Sequence, residues 1–155
     1  MLGVPLDAWY VWIGLAIVGS TVFGIASALP SAMPPDASGA ARTVDSVAAS
    51  DHAAVGKHQL SNAESARIGA DSISLRGPGG TEHAGFGYGP IVPVVDHPAL
   101  RATLLGEPPE RAFGSAAEFE RAISRAGATD PRWQGADQLV VRRVQWKGVD
   151  VVLAG

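Results

Sequence analysis

The chain contains no cysteine, and this absence removes several kinds of chemistry at once. Without a thiol it cannot form a disulfide, present a thiolate nucleophile or bind zinc through sulfur. Lysine is also scarce, since only Lys57 and Lys147 occur, and charges of one sign do not form a long block. The 15 acidic and 12 basic residues nearly balance, so no nucleic-acid partner is predicted.

The apolar residues are distributed unevenly along the 155 residues of the chain. One block near the N-terminus holds much of the apolar excess, and the remainder has the length of one modest domain. We therefore divide the chain into an N-terminal transmembrane anchor with its linker, residues 1–35, and an α+β domain on the water side, residues 36–155.

A long run without charged side chains extends from Ala8 to Leu29. At about 1.5 Å per residue, a helix of this length crosses a hydrocarbon core of about 30 Å. The run predicts a transmembrane helix at about residues 9–29 and makes the lipid bilayer the first expected partner. Aromatic rings gather at membrane interfaces, so three residues are predicted to lie there: Trp9, Tyr10 and Trp12.

Two other interpretations of this run stay open. Ala26-Ser27-Ala28 has the small-x-small form of a signal peptidase site, which is typical of a cleaved signal peptide. A buried helix of a water-soluble domain is the other alternative. The length of the run and the lack of basic residues before it favour a retained, single-pass anchor in the cell membrane. Its signal-like character favours an extracytoplasmic C-terminal domain.

Three short helices are predicted within the domain. The first has Asp36 or Ser38 as its N-cap. The second is capped by Asp96 or His97, begins at Pro98 and ends at Gly106. The third starts at the capping box Ser115–Glu118. Apolar residues recur at helical spacing in all three segments, which indicates that each helix packs one face against a core.

Two β-hairpins are predicted around turns that contain glycine. Alternating side chains at residues 66–76 and a second alternating run to Tyr88 flank the turn Gly77–Gly80. The other hairpin joins two β-rich runs through Lys147-Gly148, a favoured two-residue turn. The polar stretch between the first helix and the first hairpin predicts a connecting loop.

The second hairpin has a predicted core face and a predicted water face. Trp146 shares the core face with Val144, whereas Arg143 and Asp150 are expected to face water. Together these elements predict an α+β fold class: one N-terminal transmembrane helix, then a small antiparallel sheet of two β-hairpins covered on one face by about three short helices.

No pattern in the sequence indicates a catalytic, cofactor or metal site. The four histidines lack a metal-binding spacing, and the glycine-rich segments are turn and strand glycines instead of phosphate-binding loops. A non-enzymatic protein is therefore expected, unless His83, His97 and Asp96 converge in the fold. If the domain binds a ligand or partner, the predicted surface is a groove around three aromatic residues: Phe86, Tyr88 and Trp133.

Three segments together resemble a family of short, uncharacterised, single-pass membrane-anchored haloarchaeal proteins: PLDAWYVWIGLA, GGTEHAGFGYGPIVPV and LVVRRVQWKGVDVVLAG. The resemblance implies an archaeal surface or membrane setting, with pilus-like or secretion machinery as its suggested neighbours and no established activity. With the residue patterns, it predicts a non-enzymatic accessory or structural component of the cell envelope that contacts other envelope proteins. A membrane-tethered domain that binds a small ligand or acts as a sensor is the alternative.

Overall fold

The computed structural model describes residues 9–18 and 32–155, which belong to two separate compact units. In the first unit, residues 9–18 are helical and are called α1. The second unit, from Ala32 to Gly155, contains every other described element.

The predicted fold class is wrong in its transmembrane helix. Among the residues that the structure describes, no helix is both long and apolar enough to cross a membrane. The described turns of α1 cover about 15 Å, roughly half the thickness of a hydrocarbon core. The remainder of the predicted span and the Ala26-Ser27-Ala28 site lie outside the described residues.

The three predicted helices of the domain are present with their predicted N-caps. The Asp36 carboxylate accepts a hydrogen bond from the backbone N–H of Gly39 at 2.7 Å, and His97 and Ser115 cap the other two helices through their side chains. Gly106 ends the second in the left-handed region, at φ +119°. The domain helices are α2 (Ala37–Ala48), α3 (Pro98–Leu105), the four-residue α4 (Pro109–Ala112) and α5 (Ala116–Gly127).

The strands form two four-stranded sheets, so the prediction of one small sheet is wrong. The two predicted hairpins exist, but each recruits strands from distant parts of the chain instead of pairing with the other hairpin. In chain order the strands are β1 (Val55–Gln59), β2 (Ser65–Ile68), β3 (Ser72–Gly77), β4 (Gly80–Gly85), β5 (Val92–Pro93), β6 (Gln134–Gly135), β7 (Gln138–Trp146) and β8 (Val149–Ala154).

The first sheet has the order β1-β7-β8-β5 and the second has the order β4-β3-β2-β6. All pairings are antiparallel except that of β5 with β8, which is parallel. Strand β1 lies in the polar stretch that was predicted to be a loop. It pairs with β7 at the sheet edge, and its side chains alternate only between exposed and half-buried, so no apolar pattern marks it.

The first sheet is covered on both faces, whereas the sequence predicted helices on one face only. On one face, α2 and the second sheet enclose what we call the first core. On the other face, α3 and α5 enclose the second core. The largest fully buried side chains of the first core are Val44, Ile73, Leu75, Ile91, Leu139 and Val141, and those of the second are Leu100, Phe119 and Leu153.

The hairpin of β7 and β8 follows the predicted register, with Trp146 opposite Val149 across the Lys147-Gly148 turn. The Trp146 ring packs edge-on against Phe119 of α5 at 5.8 Å between centroids, as expected for a core residue. The prediction that Arg143 faces water is wrong. Because α2 covers that side of the sheet, the Arg143 side chain is only 20% exposed, and its guanidinium donates hydrogen bonds to the carbonyls of Ala48 and Ser50.

Candidate partner-binding surface

The second sheet has one apolar face and one polar face. Ala66, Ile73 and Leu75 point into the first core. The alternate side chains of β2, β3 and β4 point away from it and form what we call the outer face. The outer face has two arginines, one histidine and four hydroxyl side chains, and none of its strand residues carries a carboxylate. Its residues are Ser65, Arg67, Ser72, Ser74, Arg76, Thr81 and His83.

Trp133 lies on the outer face beside both arginines. The residue precedes β6, which pairs with β2 so that Gly135 lies opposite Ser65. This register places Trp133 beside Arg67. The guanidinium carbon of Arg76 is 4.2 Å from an indole ring centroid, and that of Arg67 is 5.2 Å away. Both distances are those of cation–π contacts.

The two guanidinium groups contact the indole ring but are not neutralised by a carboxylate. Within residues 9–18 and 32–155, neither Arg67 nor Arg76 forms a salt bridge with a carboxylate. A guanidinium that stacks through its flat face keeps its N–H groups available at the edge. Such an edge donates paired hydrogen bonds to a carboxylate or phosphate. The outer face is therefore suited chemically to bind anionic groups.

His83 extends the polar surface toward the edge strand β4. Its Nδ1 lies 3.0 Å from the hydroxyl of Ser74, which is buried beneath it. The hydrogen bond satisfies the buried hydroxyl and fixes the imidazole on the outer face. This pairing could not be predicted from the sequence, because Ser74 and His83 become neighbours only through the register of β3 and β4.

The other two predicted surface residues lie in the loop that follows β4. Phe86 is half-buried against the first core, whereas Tyr88 is 56% exposed. Asp45 of α2 holds this loop, because its Oδ1 accepts hydrogen bonds from the backbone N–H groups of Gly87 at 2.8 Å and Tyr88 at 3.1 Å. Tyr88 lines an open cavity of about 630 Å³, which neither Phe86 nor Trp133 lines.

The sequence model of DUF7283, a family of unknown function, matches residues 3–144 of the chain. The chain belongs to DUF7283. The match includes α1, the whole second sheet and Trp133, so the outer face lies within the family region. Membership confirms the expectation of an uncharacterised family. Searches of curated proteins and of solved structures gave no match.

The three residues considered for catalysis in this DUF7283 chain each have a different partner. Asp96 forms a salt bridge with Arg132, and His97 caps α3 while its ring packs near Phe113 at 6.1 Å between centroids. His83 contacts Ser74 on the outer face. Within the described part of the chain, no cluster of three or more potential metal ligands occurs.

A second cavity of the DUF7283 domain was not indicated by the sequence. It has a volume of about 350 Å³ and lies between α3 and the ends of both sheets, with Ile68, Leu104 and Val140 in its wall and Arg101 also lining it. These residues come from separate segments that only the tertiary fold brings together. No local pattern could therefore have predicted the cavity.

One ion pair perturbs the ionisation of its members. Arg143 donates from Nε and Nη2 to the two carboxylate oxygens of Asp150, at 2.9 and 2.6 Å. This hydrogen bonding lowers the pKa of Asp150 below its usual value and raises the pKa of Arg143. The pair fixes the end of α2 on the first sheet and lines the Tyr88 cavity.

Proposed function

We propose that this DUF7283 chain is a non-enzymatic accessory or structural component of the cell envelope. In this proposal the chain is held at the cell membrane through its N-terminal unit, and its α+β domain contacts other envelope proteins on the extracytoplasmic side. The observation that carries the proposal is the exposed apolar surface of α1.

The side chains of α1 are apolar and lack charge over all ten described residues. Trp9 is 69% exposed, Tyr10 is 73% exposed and Trp12 is 72% exposed, so about two-thirds or more of each aromatic residue is available for contact. A contiguous exposed patch of this kind is typical of a membrane or protein interface. Tryptophan and tyrosine suit the headgroup region, because each combines an apolar ring with a polar group.

The shape and chemistry of the domain support a role in contact with a large partner. The outer face is a sheet surface whose exposed functional groups are the guanidinium groups of Arg67 and Arg76, the imidazole of His83 and the hydroxyl of Thr81. A small substrate is usually enclosed in a concave pocket. An open surface of this type fits a macromolecule better than a substrate that must be held for chemistry.

The haloarchaeal setting is also part of the proposal. It rests on the three segments that resemble short membrane-anchored haloarchaeal proteins, of which the first two lie wholly within the DUF7283 match. On that resemblance, pilus-like or secretion machinery is the proposed neighbourhood of the domain.

The proposal is tested by fractionating an archaeal host that expresses the full chain. We expect the chain in the membrane fraction, and we expect protease added to intact cells to cut the α+β domain. Mass spectrometry of the membrane-bound chain determines whether the N-terminal unit is retained. Recovery of the chain in the soluble fraction would contradict the membrane role, and protection of the domain until lysis would contradict the proposed orientation.

A matched pair of variants tests the role of α1. Replacing Trp9 and Trp12 by serine removes two exposed rings, so we expect a larger fraction of the chain to leave the membrane on washing. Met33→Ser with Leu105→Ser likewise removes two exposed apolar side chains, but from the second unit, and should leave membrane retention unchanged. Equal release of both variants would show that α1 does not hold the chain at the membrane.

A ligand-binding or sensory domain is the second candidate function, and the cavity beside Tyr88 favours it. Its volume of about 630 Å³ lies within the range of small-molecule sites. A ligand that binds there should raise the melting temperature of the wild-type domain but not that of Tyr88→Ala. A ligand screen without such a difference would leave this cavity with no support as a binding site.

A further inference from the structure

The charge on the outer face differs in sign from the charge of the whole chain. The chain has a formal net charge of −3, yet the outward side chains of β2, β3 and β4 include Arg67 and Arg76 and no carboxylate. The carboxylate of Asp71, just before β3, accepts a hydrogen bond from the outward hydroxyl of Ser72. The only acidic residue within these strands is Glu82, which lies on the opposite side of β4 from His83. The outer face therefore complements an acidic partner.

Trp133 positions the two arginines before any partner arrives. Both guanidinium groups contact its ring, at 4.2 and 5.2 Å from a ring centroid, and the indole itself is half-buried. Holding a long side chain in one place in advance reduces the conformational entropy that is lost on binding. The geometry of the free protein thus favours binding by both arginines together.

The backbone spacing of Arg67 and Arg76 matches the spacing of alternate residues in an extended polypeptide. Arg76 lies opposite Ser65, so Arg67 is its diagonal neighbour on the adjacent strand. Diagonal neighbours on one sheet face are about 7–8 Å apart. In an extended chain, residues i and i+2 point the same way and are about 6.6–6.8 Å apart. Two acidic side chains separated by one residue match this backbone spacing, and the two guanidinium groups that they would contact lie beside the same indole.

We propose that Arg67 and Arg76, positioned by Trp133, bind an acidic extended segment of a second protein through carboxylates at alternate residues. This inference rests on the proposed function only in placing that partner in the cell envelope. A single-stranded nucleic-acid partner is disfavoured, because such ligands stack their bases on the faces of aromatic rings. Here the guanidinium groups already contact the indole ring.

The test measures binding of a fluorescent decapeptide of alternating glutamate and serine to the full chain in nonionic detergent. A peptide with glutamine in place of glutamate is the ligand control. We expect the acidic peptide to bind, the glutamine peptide not to bind, and the affinity to fall as salt is added. Polygalacturonate and inorganic phosphate are titrated in parallel as the carbohydrate and free-anion probes.

The protein variants separate specific contacts from net charge. We expect Arg67→Gln with Arg76→Gln to weaken peptide binding by about 10-fold or more, because paired charge-assisted hydrogen bonds are lost. Arg111→Gln with Arg121→Gln makes the same change in net charge on α4 and α5, away from the outer face, and should alter the affinity by less than about 2-fold. Trp133→Leu keeps both charges but removes the stacking surface, and it should weaken binding by about 3-fold or more.

Several outcomes would overturn the inference. One is equal loss of affinity in the two double-arginine variants, which would show only a general charge effect. Binding of polygalacturonate or phosphate without binding of the peptide would assign the surface to another ligand class, and failure of the acidic peptide to bind would remove the proposal. Circular dichroism confirms that each variant is folded. None of these outcomes depends on the fractionation test, so the inference and the proposed function can fail separately.

Discussion

At the scale of single residues, polar side chains join segments that are distant in the chain. Asp45 of α2 binds two backbone N–H groups of the loop after β4, more than 40 residues away. A carboxylate that accepts two such bonds restrains the loop without any large apolar contact. The restraint holds the loop that carries the exposed side chain of Tyr88.

Asp45→Ala should release this loop. Loss of the acceptor leaves the N–H groups of Gly87 and Tyr88 open to water, so we expect their exchange with deuterium to accelerate by about 10-fold, which corresponds to about 1.4 kcal/mol. Amide exchange followed by NMR measures this directly. Ser46→Ala, at the next position of α2, is the control and should leave both rates unchanged. Unaltered exchange in Asp45→Ala would show that other contacts hold the loop.

The pair of Arg143 and Asp150 predicts a pH dependence of stability. Because hydrogen bonding with Arg143 lowers the pKa of Asp150, the ionised carboxylate is favoured in the folded state. The ionised carboxylate contributes fully to folding stability above the pKa of an aspartate in the unfolded chain, about 3.9. This contribution is lost as the pH falls through the lower pKa of Asp150 in the folded state. Asp150 is partly exposed, so the contribution is screened by solvent.

Asp150→Asn should therefore melt below the wild type at neutral pH, and the difference should shrink as the pH falls below about 4. Thermal melts from pH 7 to pH 2 measure the difference. A parallel series in 1 M salt should show a smaller difference at neutral pH, because an exposed pair is screened. A difference that stays constant down to pH 2 would mean that packing, not ionisation, explains the effect.

At the scale of secondary structure, the helix ends follow local chemistry. Ser115 accepts a hydrogen bond from the N–H of Glu118 at 3.3 Å, and the Glu118 carboxylate accepts one from the N–H of Gly114 at 3.0 Å. The predicted capping box thus forms with one difference: the Glu118 carboxylate accepts its hydrogen bond from the N–H of Gly114 instead of that of Ser115. Both bonds satisfy backbone N–H groups that would otherwise lack partners near the start of α5.

Ser115→Ala should lower the free energy of unfolding by about 1 kcal/mol, because the N-cap acceptor is lost. Urea denaturation measures the change. Ser124→Ala lies within the same helix on an exposed surface, and it should be neutral or slightly stabilising because alanine favours the helix. Equal effects of the two substitutions would argue against a capping role for Ser115.

The strands were predicted less completely than the helices. Strand β3 has a strong apolar alternation through Ile73 and Leu75, and the Lys147-Gly148 turn has the positive φ angles of +47° and +87° that its type requires. Strand β1 has no comparable signal. It exists because its backbone groups pair with β7, and backbone pairing leaves little trace in side-chain composition.

At the scale of the whole molecule, the first sheet couples two cores. Strands β7 and β8 send alternate side chains to opposite faces, so each strand contributes to the first core and the second core. Neither core can lose its packing without exposing part of the same hairpin. We therefore expect the α+β domain to unfold in one cooperative transition.

Core substitutions on either side of the sheet should test this coupling. Leu75→Ala in the first core and Leu100→Ala in the second should each lower the free energy of unfolding by about 2–5 kcal/mol. In both variants the transitions seen by fluorescence and by circular dichroism should coincide. Leu105→Ala is the matched control, since Leu105 is 64% exposed and its truncation should cost less than about 1 kcal/mol. Separate transitions for the two probes would show that the cores unfold independently.

The outer face was predictable from the sequence only in part. Trp133 was one of the three residues named for a ligand or partner surface, but Arg67 and Arg76 were not connected with it. Their contacts depend on the pairing of β2 with both β3 and β6, and β6 is only two residues long. A strand of two residues is too short to show an alternation of apolar and polar side chains in the sequence.

The sequence by itself determined the features that depend on near neighbours: the three capped helices, the two hairpins with their turns, and the apolar faces of these helices and hairpins. Only the tertiary structure decided that the hairpins belong to separate sheets, that Arg143 lies beneath α2, and that Trp133 contacts two arginines. The physical reason is the range of the interactions. Caps and turns are satisfied within a few residues, whereas sheet order and polar contacts between strands depend on which distant segments bury each other's apolar surfaces.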